Sequence, residues 1–439
     1  MGKGNKMKFE KHKSYKRSGL KWWDEEIPTG WEILPFKNIS YMKGRIGWQN
    51  LRSDEFTFNL DEPFLITGMN FKDGKIRWDE VYHVSDERYF QAPEIQLKEN
   101  DVLITKDGTI GKVLFIDNLP GKATLNSHLL VLRPLHKKYF PKYLYYTIQS
   151  SFFQGYTETV KTGTTFFGIT QEAVGNFKML IPPHQEQRSI AAFLDRETAR
   201  IDALIEKKKK LIELLKEKRT ALITRAVTKG LNPGVKMKPS GIEWLGEIPE
   251  HWSVIKLGHY SKWSSGEFLS NLEYSKEKDT QNNIPVLGGN GIMGWSNKVL
   301  VNKPIIVIGR VGALCGNVHY HDLPCWISDN ALQLTWIKGF NLKFLTHFLT
   351  FIDINRFSSQ TAQPLISGSL LSGLKVVLPP IEEQVQISKF IEYSTLKIEH
   401  LLEKINFSVA RNYEYRTALI SAAVTGKIRV GEERGDTLK

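Results

Sequence analysis

Cysteine and histidine side chains crowd one short stretch in the second half of the chain. Cys315, His319, His321 and Cys325 lie within eleven residues, and thiolate and imidazole groups are ligands that zinc prefers. On an extended strand Cys315, His319 and His321 would share one face. The stretch lacks a Cys-x-x-Cys clamp, however, and the first half of the chain has no equivalent. Buried cysteines and surface histidines are therefore the expected outcome, and we predict no metal site.

No motif for catalysis is complete in this sequence. A phosphate-binding loop needs G-x-x-x-x-G-K-[ST], whereas Gly108-Thr109-Ile110-Gly111-Lys112-Val113 is too short and ends in valine. No dinucleotide-binding glycine motif opens a helix after a strand, and no Asn/Asp-Pro-Pro-Tyr sequence of an amino-methyltransferase is present. Residues typical of a helix start follow both Pro-Pro pairs instead. The sequence thus predicts a noncatalytic protein.

Length and composition fit a globular protein of at least two domains. The chain has 439 residues, of which 41% are hydrophobic and 24% charged, which is ordinary globular usage. The two cysteines exclude a disulfide scaffold and are expected in a reducing cytoplasm. No apolar run approaches the roughly 18 residues of a membrane span, and the basic first residues lack the apolar core of an export signal. These features predict a soluble cytoplasmic protein.

The net charge of +13 is concentrated in two segments. The first 21 residues hold eight Lys/Arg and one Glu, a net +7, and residues 184–229 hold twelve Lys/Arg and seven Asp/Glu, a net +5. The rest of the chain carries only +1. Total charge is therefore a weak argument for nucleic-acid binding, and any phosphate-binding surface must be a local cluster.

The chain contains an internal repeat. Residues 180–187 (LIPPHQEQ) recur as 377–384 (VLPPIEEQ), a shift of 197, and residues 219–223 (RTALI) recur as 416–420. A second repeated motif precedes each half: residues 26–31 (EIPTGW) match 247–252 (EIPEHW) at a shift of 221. The shifts differ by 24, so the first variable block is longer by that amount. The order is an opening motif, a variable block and a helix, written twice.

Both repeated segments after the Pro-Pro pairs have the apolar periodicity of long helices. A seven-residue frame beginning at Ile190 predicts a coiled-coil seam in each helix. Its residues are Ile190, Leu194, Ile201, Leu204, Leu211, Leu215 and Leu222 in the first helix, and Ile387, Ile391, Ile398, Leu401, Ile405, Tyr415 and Leu419 in the second. Two such helices in one chain most simply pair antiparallel. Each helix has more apolar surface than one partner helix covers, so another subunit is expected to dock there.

The variable blocks have mixed strand and helix patterns in the same order. Residues 101–105 and 112–116 flank a turn and predict a hairpin, and residues 304–308 followed by Gly309-Arg310-Val311-Gly312 occupy the same place in the second block. A further strand (129–132; 331–334), a short helix (143–148; 344–349) and a polar loop follow in each. The blocks share order but little identity, as expected of one fold with two different recognition surfaces.

These motifs resemble those of the specificity (S) subunit of type I restriction–modification enzymes. The resemblance rests on the paired Pro-Pro-x-x-Glu-Gln helix starts, the Arg-Thr-Ala-Leu-Ile helix ends and the Trp-x-x-Glu-Ile-Pro-x-x-Trp opening at Trp244–Trp252, where Trp23 takes the first place in the other copy. It covers nearly the whole chain after residue 14. The implied fold class is α+β: two mixed α/β target recognition domains separated by two long helices that form an antiparallel coiled coil, with an internal pseudo-twofold repeat.

The resemblance implies a division of the chain and a set of partners. The expected segments are a flexible basic tail (1–21), recognition domain 1 (22–180), spacer helix 1 (181–230), a linker (231–243), recognition domain 2 (244–377), spacer helix 2 (378–426) and a C-terminal tail (427–439). Each recognition domain is expected to read one half of a split, asymmetric sequence in double-stranded DNA. The helices are expected to space the half-sites and to dock two methyltransferase (M) subunits, through which restriction (R) subunits join. No cofactor is expected in this chain; S-adenosylmethionine, ATP and Mg belong to the partners.

DNA contacts require side chains on exposed loops that can reach base edges or phosphates. The candidates lie on the hairpin turn and on the polar loop of each block. They are Lys106, Thr109, Lys112, Lys161, Thr162, Gly163, Thr164 and Thr165 in the first block, and Arg310, Ser358, Gln360, Thr361 and Gln363 in the second. Glutamine pairs with adenine and arginine with guanine. Each of these residues is equally compatible with an ordinary loop position.

Two other functions fit parts of the sequence. The nearly neutral variable blocks are compatible with a coiled-coil adaptor whose blocks bind proteins rather than DNA. A nuclease or methyltransferase with unrecognised motifs is the other alternative. Loss of all DNA affinity in the assembled complex would favour the adaptor, and cofactor binding or cleavage by the purified chain would favour the enzyme.

Overall fold

The computed structural model describes residues 9–45, 51–71, 74, 76–107, 111–161, 168–312, 315–358 and 364–431. The chain divides into two compact units, one formed by Met1–Lys208 with Phe407–Lys439 and the other by Lys209–Asn406. Each unit holds one variable domain together with part of both long helices. No helix among the described residues is long and apolar enough to cross a membrane.

The first variable domain is built mainly of short strands. They are β1 Tyr15–Arg17, β2 Glu26–Pro28, β3 Glu32–Pro35, β4 Ser40–Lys43, β5 Phe64–Ile66, β6 Tyr82–His83, β7 Val102–Thr105, β8 Val113–Phe115, β9 Ala123–Leu125, β10 Leu129–Pro134 and β11 Lys178–Ile181. The helices are α1 Phe36–Ile39, α2 Asp86–Phe90, α3 Pro141–Gln149, α4 Ser151–Val160 and α5 Gln171–Asn176, followed by the long α6 His184–Lys229.

Two larger sheets form the body of this domain, beside the two-stranded sheets β1–β2 and β3–β11. One has the order β4-β10-β7-β8 and is antiparallel, and the other has the order β6-β5-β9 with β5 and β9 parallel. Strand β7 is buried at every position because it lies inside its sheet and packs on both faces: Val102 and Ile104 join one core cluster and Leu103 another. The hairpin predicted for residues 101–116 is confirmed as β7–β8. Strand β11 pairs with β3, so the domain closes on itself just before α6 begins.

The second variable domain repeats this plan. Its strands are β12 Met237–Pro239, β13 Glu247–Pro249, β14 Ser253–Lys256, β15 Ser261–Ser265, β16 Ile284–Gly288, β17 Gly291–Ser296, β18 Ile305–Gly309, β19 Val318–His321, β20 Trp326–Ile327, β21 Ala331–Ile337 and β22 Lys375–Leu378. Its helices are α7 Leu342–Phe351 and α8 Gly368–Gly373, followed by the long α9 Ile381–Val424. The sheet orders β15-β21-β18-β19 and β17-β16-β20 match those of the first domain.

Hydrogen bonds locate the extra length of the first domain. Asn126 N donates to Ile66 O at 3.0 Å and Ser328 N donates to Leu287 O at 2.9 Å, which makes Ile66 and Leu287 equivalent at a separation of 221. Strands β7 and β18 take equivalent places beside β10 and β21, with Thr105 opposite Leu129 and Gly309 opposite Ala331; Thr105 and Gly309 are 204 apart. Seventeen of the 24 additional residues therefore fall between β5 and β7, where α2 and β6 lie.

The long helices run antiparallel within each unit. In the first unit Arg416 Nε donates to Asp202 Oδ1 at 2.9 Å, and Lys208 Nζ donates to Ser408 Oγ at 2.6 Å. In the second unit Arg219 Nη2 lies 3.0 Å from Glu399 Oε1. As residue numbers rise along α6, their partners' numbers fall along α9. The predicted fold class, with its mixed domains, helix pair and internal repeat, is confirmed.

The predicted seam is wrong for four residues, which lie whole heptads after its starting residues Ile190 and Ile387. Leu204 and Leu211 are 46% and 44% exposed, and Leu401 and Tyr415 are 46% and 47% exposed. The residue after Leu204, Ile205, is only 2% exposed. The frame failed because it began at Ile190 and Ile387, which pack in the domain cores. Of the other predicted seam residues, Leu194, Ile201, Ile391, Ile398 and Leu419 are buried, and Leu215, Leu222 and Ile405 are half-buried.

The glutamine of each Pro-Pro-x-x-Glu-Gln motif fixes the start of a long helix to its domain. The buried side chain of Gln187 accepts a hydrogen bond from Phe140 N at 2.7 Å and donates to Pro182 O at 2.9 Å. Gln384 accepts from Asn341 N and donates to Pro379 O, both at 2.8 Å. Phe140 and Asn341 are the N-caps of α3 and α7. The motif therefore ties the first turn of the long helix to the start of the domain's own helix.

The basic N-terminal segment differs from the flexible tail expected for residues 1–21. Its described part includes β1, which pairs with β2, and Arg429 N donates to Glu10 O at 2.8 Å. The first and last described segments of the chain thus lie side by side in the first unit. Likewise, the expected linker 231–243 contains β12, which pairs with β13.

Candidate nucleic-acid interface

Three loops of the first domain meet at Lys106, directly after the interior strand β7. Lys106 N donates to His128 O in the β9–β10 loop at 3.0 Å. Lys106 O accepts from Ile169 N at 2.8 Å, and Ile169 lies just beyond the polar loop that follows α4. The hairpin turn, the β9–β10 loop and the end of the polar loop therefore share one edge of the domain.

The same frame surrounds Arg310 in the second domain. Arg310 N donates to Asn330 O at 3.0 Å, and Arg310 O accepts from Ile366 N at 2.9 Å. Lys106 and Arg310 are therefore structurally equivalent cations, as their positions in the two turns predict. The backbone is conserved between the domains while the side chains that it presents differ.

Side chains in the first domain combine donors and acceptors at this edge. Lys106 is half-buried and Lys112 is exposed. His128 Nδ1 lies 3.1 Å from the Asp107 carboxylate, with both side chains about half exposed. Lys161 forms an ion pair with Glu158 one turn earlier in α4. The edge can thus offer cations to phosphates and polar groups to base edges.

In the second domain a serine orients the Arg310 guanidinium. Arg310 Nη1 donates to Ser265 Oγ at 3.1 Å, and Ser265 Oγ donates to Asp329 O at 3.1 Å. Ser265 ends β15 and Asp329 lies in the β20–β21 loop, so two further segments hold the arginine. A guanidinium fixed in this way has the planar fork of donors that suits the O6 and N7 acceptors of guanine or a phosphate.

A third set of contacts ties the turn to the segment that enters the second polar loop. Cys315 Sγ donates to Asn355 Oδ1 at 3.3 Å, and Ser358 Oγ donates to the same oxygen at 3.2 Å. At Gly316 a Cβ would lie 2.5 Å from Asn355 N, so only glycine permits this approach. Cys315 and Ser358 are therefore structural links beside the edge.

The four potential zinc ligands do not come together. Cys315 precedes β19 rather than lying on it, and its core cluster contains Ile306 and Ile308, whereas Cys325 packs with Ile305 and Val307 on the opposite face of β18. Alternation along β18 separates the two thiols. Across the described ranges, no three His, Cys, Asp or Glu residues are placed to hold a metal ion. Burial raises the pKa of the Cys325 thiol to about 11 and lowers the pKa of His319.

The predicted DNA-contact residues are only partly described. Lys106, Lys112, Arg310 and Ser358 lie in or next to the shared edges, and Lys161 is the residue that follows α4. Thr109, Thr162, Gly163, Thr164, Thr165, Gln360, Thr361 and Gln363 lie outside the described residues.

Sequence reasoning missed the β9–β10 and β20–β21 loops. A local signal was present: Asn126 Oδ1 accepts from His128 N at 3.1 Å, and Ser328 Oγ accepts from Asn330 N at 3.2 Å. Asn or Ser two residues before another polar residue, between two strands, is typical of such side-chain-stabilised turns. His128 and Asn330 are exposed and join the candidate interface.

Comparison with known proteins identifies the class to which these paired edges belong. The family model of the type I restriction modification DNA specificity domain matches residues 40–214 and again residues 249–406. The chain therefore belongs to the type I restriction–modification DNA specificity family, as the repeated motifs predict. Members of this family are the noncatalytic, DNA-recognising components of type I systems.

Relatives named as type I specificity subunits match all or part of the chain. The type I restriction enzyme MjaVIII specificity subunit of Methanocaldococcus jannaschii is 23% identical, over 97% of this chain and 98% of its own length. The EcoprrI specificity subunit of Escherichia coli is 30% identical over 36% of this chain and 39% of its own length.

Solved structures show the same fold. A chain from a structural study of complex assembly and conformational transition of the type I R-M system has a TM-score of 0.65 and 17% identity, covering 92% of this chain and all of that one. The HsdS subunit from Thermoanaerobacter tengcongensis has a TM-score of 0.54 and 17% identity, covering 92% and 98% of the respective chains.

Proposed function

We propose that this specificity subunit reads a bipartite, asymmetric target in double-stranded DNA, one half-site with each variable domain. The equivalent hydrogen-bond frames around Lys106 and Arg310 carry this proposal. One backbone arrangement presents a lysine with a His–Asp pair in the first domain and a serine-held arginine with an asparagine in the second. Different side chains on one scaffold are what two unlike half-sites require.

The long helices are proposed to dock the partner subunits. Large apolar side chains on them are exposed, among them Tyr393 (61%), Leu396 (67%) and Phe407 (63%) as well as Leu204, Leu211 and Leu401. Exposed apolar surface of this kind marks protein contacts. We assign it to two methyltransferase subunits, through which restriction subunits join; S-adenosylmethionine, ATP and Mg then act in those partners. The helices also set the spacing between the half-sites in this proposal.

Footprinting the assembled complex on its genomic target tests the split readout. The target is first obtained as the methylated adenine motif of the host genome. Two protected segments separated by an indifferent spacer are expected, and a single footprint insensitive to sequence would contradict the proposal.

A domain exchange assigns the half-sites. Replacing residues 29–180 by the corresponding block of another family member should change one half-site and leave the other unchanged. Removing a whole number of helical turns from both α6 and α9 should shorten the required spacer. A change in both half-sites after the exchange would refute independent reading by the two domains.

A further inference from the structure

A phenylalanine of the second domain extends into solvent beside the arginine edge. Phe268 is 76% exposed, whereas its neighbour Leu269 is only 7% exposed. Phe268 lies three residues after Ser265, which binds the Arg310 guanidinium. Gly266 N and Arg310 N bond to the carbonyls of the adjacent residues Ala331 and Asn330, so the segment that carries Phe268 starts at the same edge of the domain as the cation.

The backbone beneath Phe268 is fixed to the sheet. Gly266 N donates to Ala331 O at 3.0 Å, and Glu267 N donates to Ile327 O at 2.9 Å. The indole of Trp326 donates to Glu267 O at 3.0 Å. The segment is thus held on two strands up to the residue before Phe268, so the exposed ring begins from an ordered backbone.

An exposed ring on an ordered segment can bind an apolar partner without first ordering its own backbone. Ordering of a loop at the moment of binding lowers affinity, and a segment already held by strands avoids that loss. Phenylalanine is among the apolar side chains that some DNA-binding proteins insert between base steps, next to basic and polar residues that contact the groove, and the insertion partly unstacks the step. The edge that carries Arg310 and Asn330 supplies such residues.

We propose that Phe268 is a wedge that enters a base-pair step in the half-site read by the second domain, next to the position held by Arg310. The inference rests on the proposed DNA-reading function. It adds an indirect readout to the direct one, because base steps differ in how easily they unstack. The second half-site is then selected partly by a step that receives no hydrogen bond from the protein.

Single 2-aminopurine substitutions test the wedge in the complete complex of this chain with its methyltransferase subunits. The probe replaces, one at a time, each adenine of either strand in and next to the second half-site, except the methylated adenine. The wild-type complex should raise fluorescence at one base step. Phe268→Ala should abolish that rise and weaken binding about tenfold, the scale of one lost base–aromatic stack. Phe268→Leu should retain part of both effects.

Leu323→Ala is the matched control. Leu323 is 60% exposed but follows β19 at the opposite end of the same sheet from the Arg310 turn, so its loss should leave binding and fluorescence at wild-type values. Phe268→Ala complexes with affinity within about twofold of wild type and the same fluorescence pattern would overturn the wedge while leaving the DNA-reading function intact. Failure of the wild-type complex to bind its methylated motif would remove both.

Discussion

The indole nitrogen of Trp252 donates a 3.0 Å hydrogen bond to the Glu383 carboxylate. In the other repeat Trp31 Nε1 donates to Glu186 at 3.2 Å. Each bond joins the last residue of an opening motif to the glutamate of the following Pro-Pro-x-x-Glu-Gln motif. Two sequence patterns more than 130 residues apart are therefore halves of one structural joint, which explains why they recur together.

Removing the acceptor of this joint should destabilise the second unit. Trp252 is fully buried, so Glu383→Ala leaves its N–H without a partner, at a cost of about 1–3 kcal/mol in the free energy of unfolding. Glu383→Gln keeps an acceptor oxygen and should cost less. Urea unfolding followed by tryptophan fluorescence measures both. Glu382→Ala, at the exposed neighbouring position, is the control, and equal losses for Glu382 and Glu383 would contradict the role of the bond.

The glycine that ends the second long helix should tolerate no side chain. Gly426 has φ +70°, and a Cβ there would lie 2.4 Å from Pro28 Cγ. Gly19 has nearly the same φ, +68°, but a Cβ would meet nothing within 4 Å. Gly19→Ala should therefore cost only the backbone strain of about 1–2 kcal/mol, and Gly426→Ala should cost about 3 kcal/mol or more because a clash is added. Equal shifts in thermal unfolding of the two variants would refute the contact.

Adjacent substitutions on α6 distinguish the two faces of the helix. Ile205→Ala removes a buried side chain and should lower the free energy of unfolding by about 2–4 kcal/mol. Leu204→Ala removes an exposed one and should change stability by less than about 0.5 kcal/mol, while weakening assembly with methyltransferase subunits. Chemical denaturation and analytical ultracentrifugation measure the two effects. A larger loss of stability for Leu204→Ala than for Ile205→Ala would instead support the heptad frame that begins at Ile190.

Arg310 should control the second half-site alone. Arg310→Ala removes the fixed guanidinium, and loss of one base-reading contact is worth about 1–3 kcal/mol of discrimination. Lys303→Ala provides the control, because Lys303 is exposed just before the other end of β18. Competition binding with duplexes altered in either half-site gives the readout. Equal loss for both half-sites would mean that Arg310 contributes only general phosphate attraction.

The two cysteines should resist thiol reagents in the folded protein. Cys315 and Cys325 are at most 1% exposed, and the raised pKa of Cys325, about 11, keeps that thiol protonated at pH 8. Labelling with a disulfide reagent at pH 8 should be slow for the native chain and rapid for both thiols in guanidinium chloride, since the thiolate is the reactive form. Rapid native labelling of Cys325 would contradict the burial.

Local sequence patterns predicted the strands and helices. The side-chain contacts at the candidate interface depend instead on which strands pair and in what register. The apolar runs of β7 and β18 and the repeated helices were recognisable because each signal lies within a few residues. The Arg310–Ser265 and His128–Asp107 pairs depend on which strands become neighbours, and the sequence spacing does not encode this. The seam failed by one residue because Ile190 packs against a domain rather than a helix, so an apolar period alone cannot name the partner surface.

The end of each long helix contacts the tryptophan of an opening motif. The end of α6 contacts the motif that follows it directly in the chain, whereas the end of α9 contacts the motif at the start of the chain. A Cβ on Gly230 would lie 3.3 Å from the Trp252 ring, and the chain continues by peptide bonds from Gly230 into that motif. A Cβ on Gly426 would lie 3.3 Å from the Trp31 ring, and there the helix end meets the motif through non-covalent contacts such as the Tyr15–Gly426 and Arg429–Glu10 hydrogen bonds. Polypeptide continuity is thus dispensable at this place. The internal repeat and these two equivalent contacts are what duplication of a half-length chain, made of one motif, one domain and one helix, would produce.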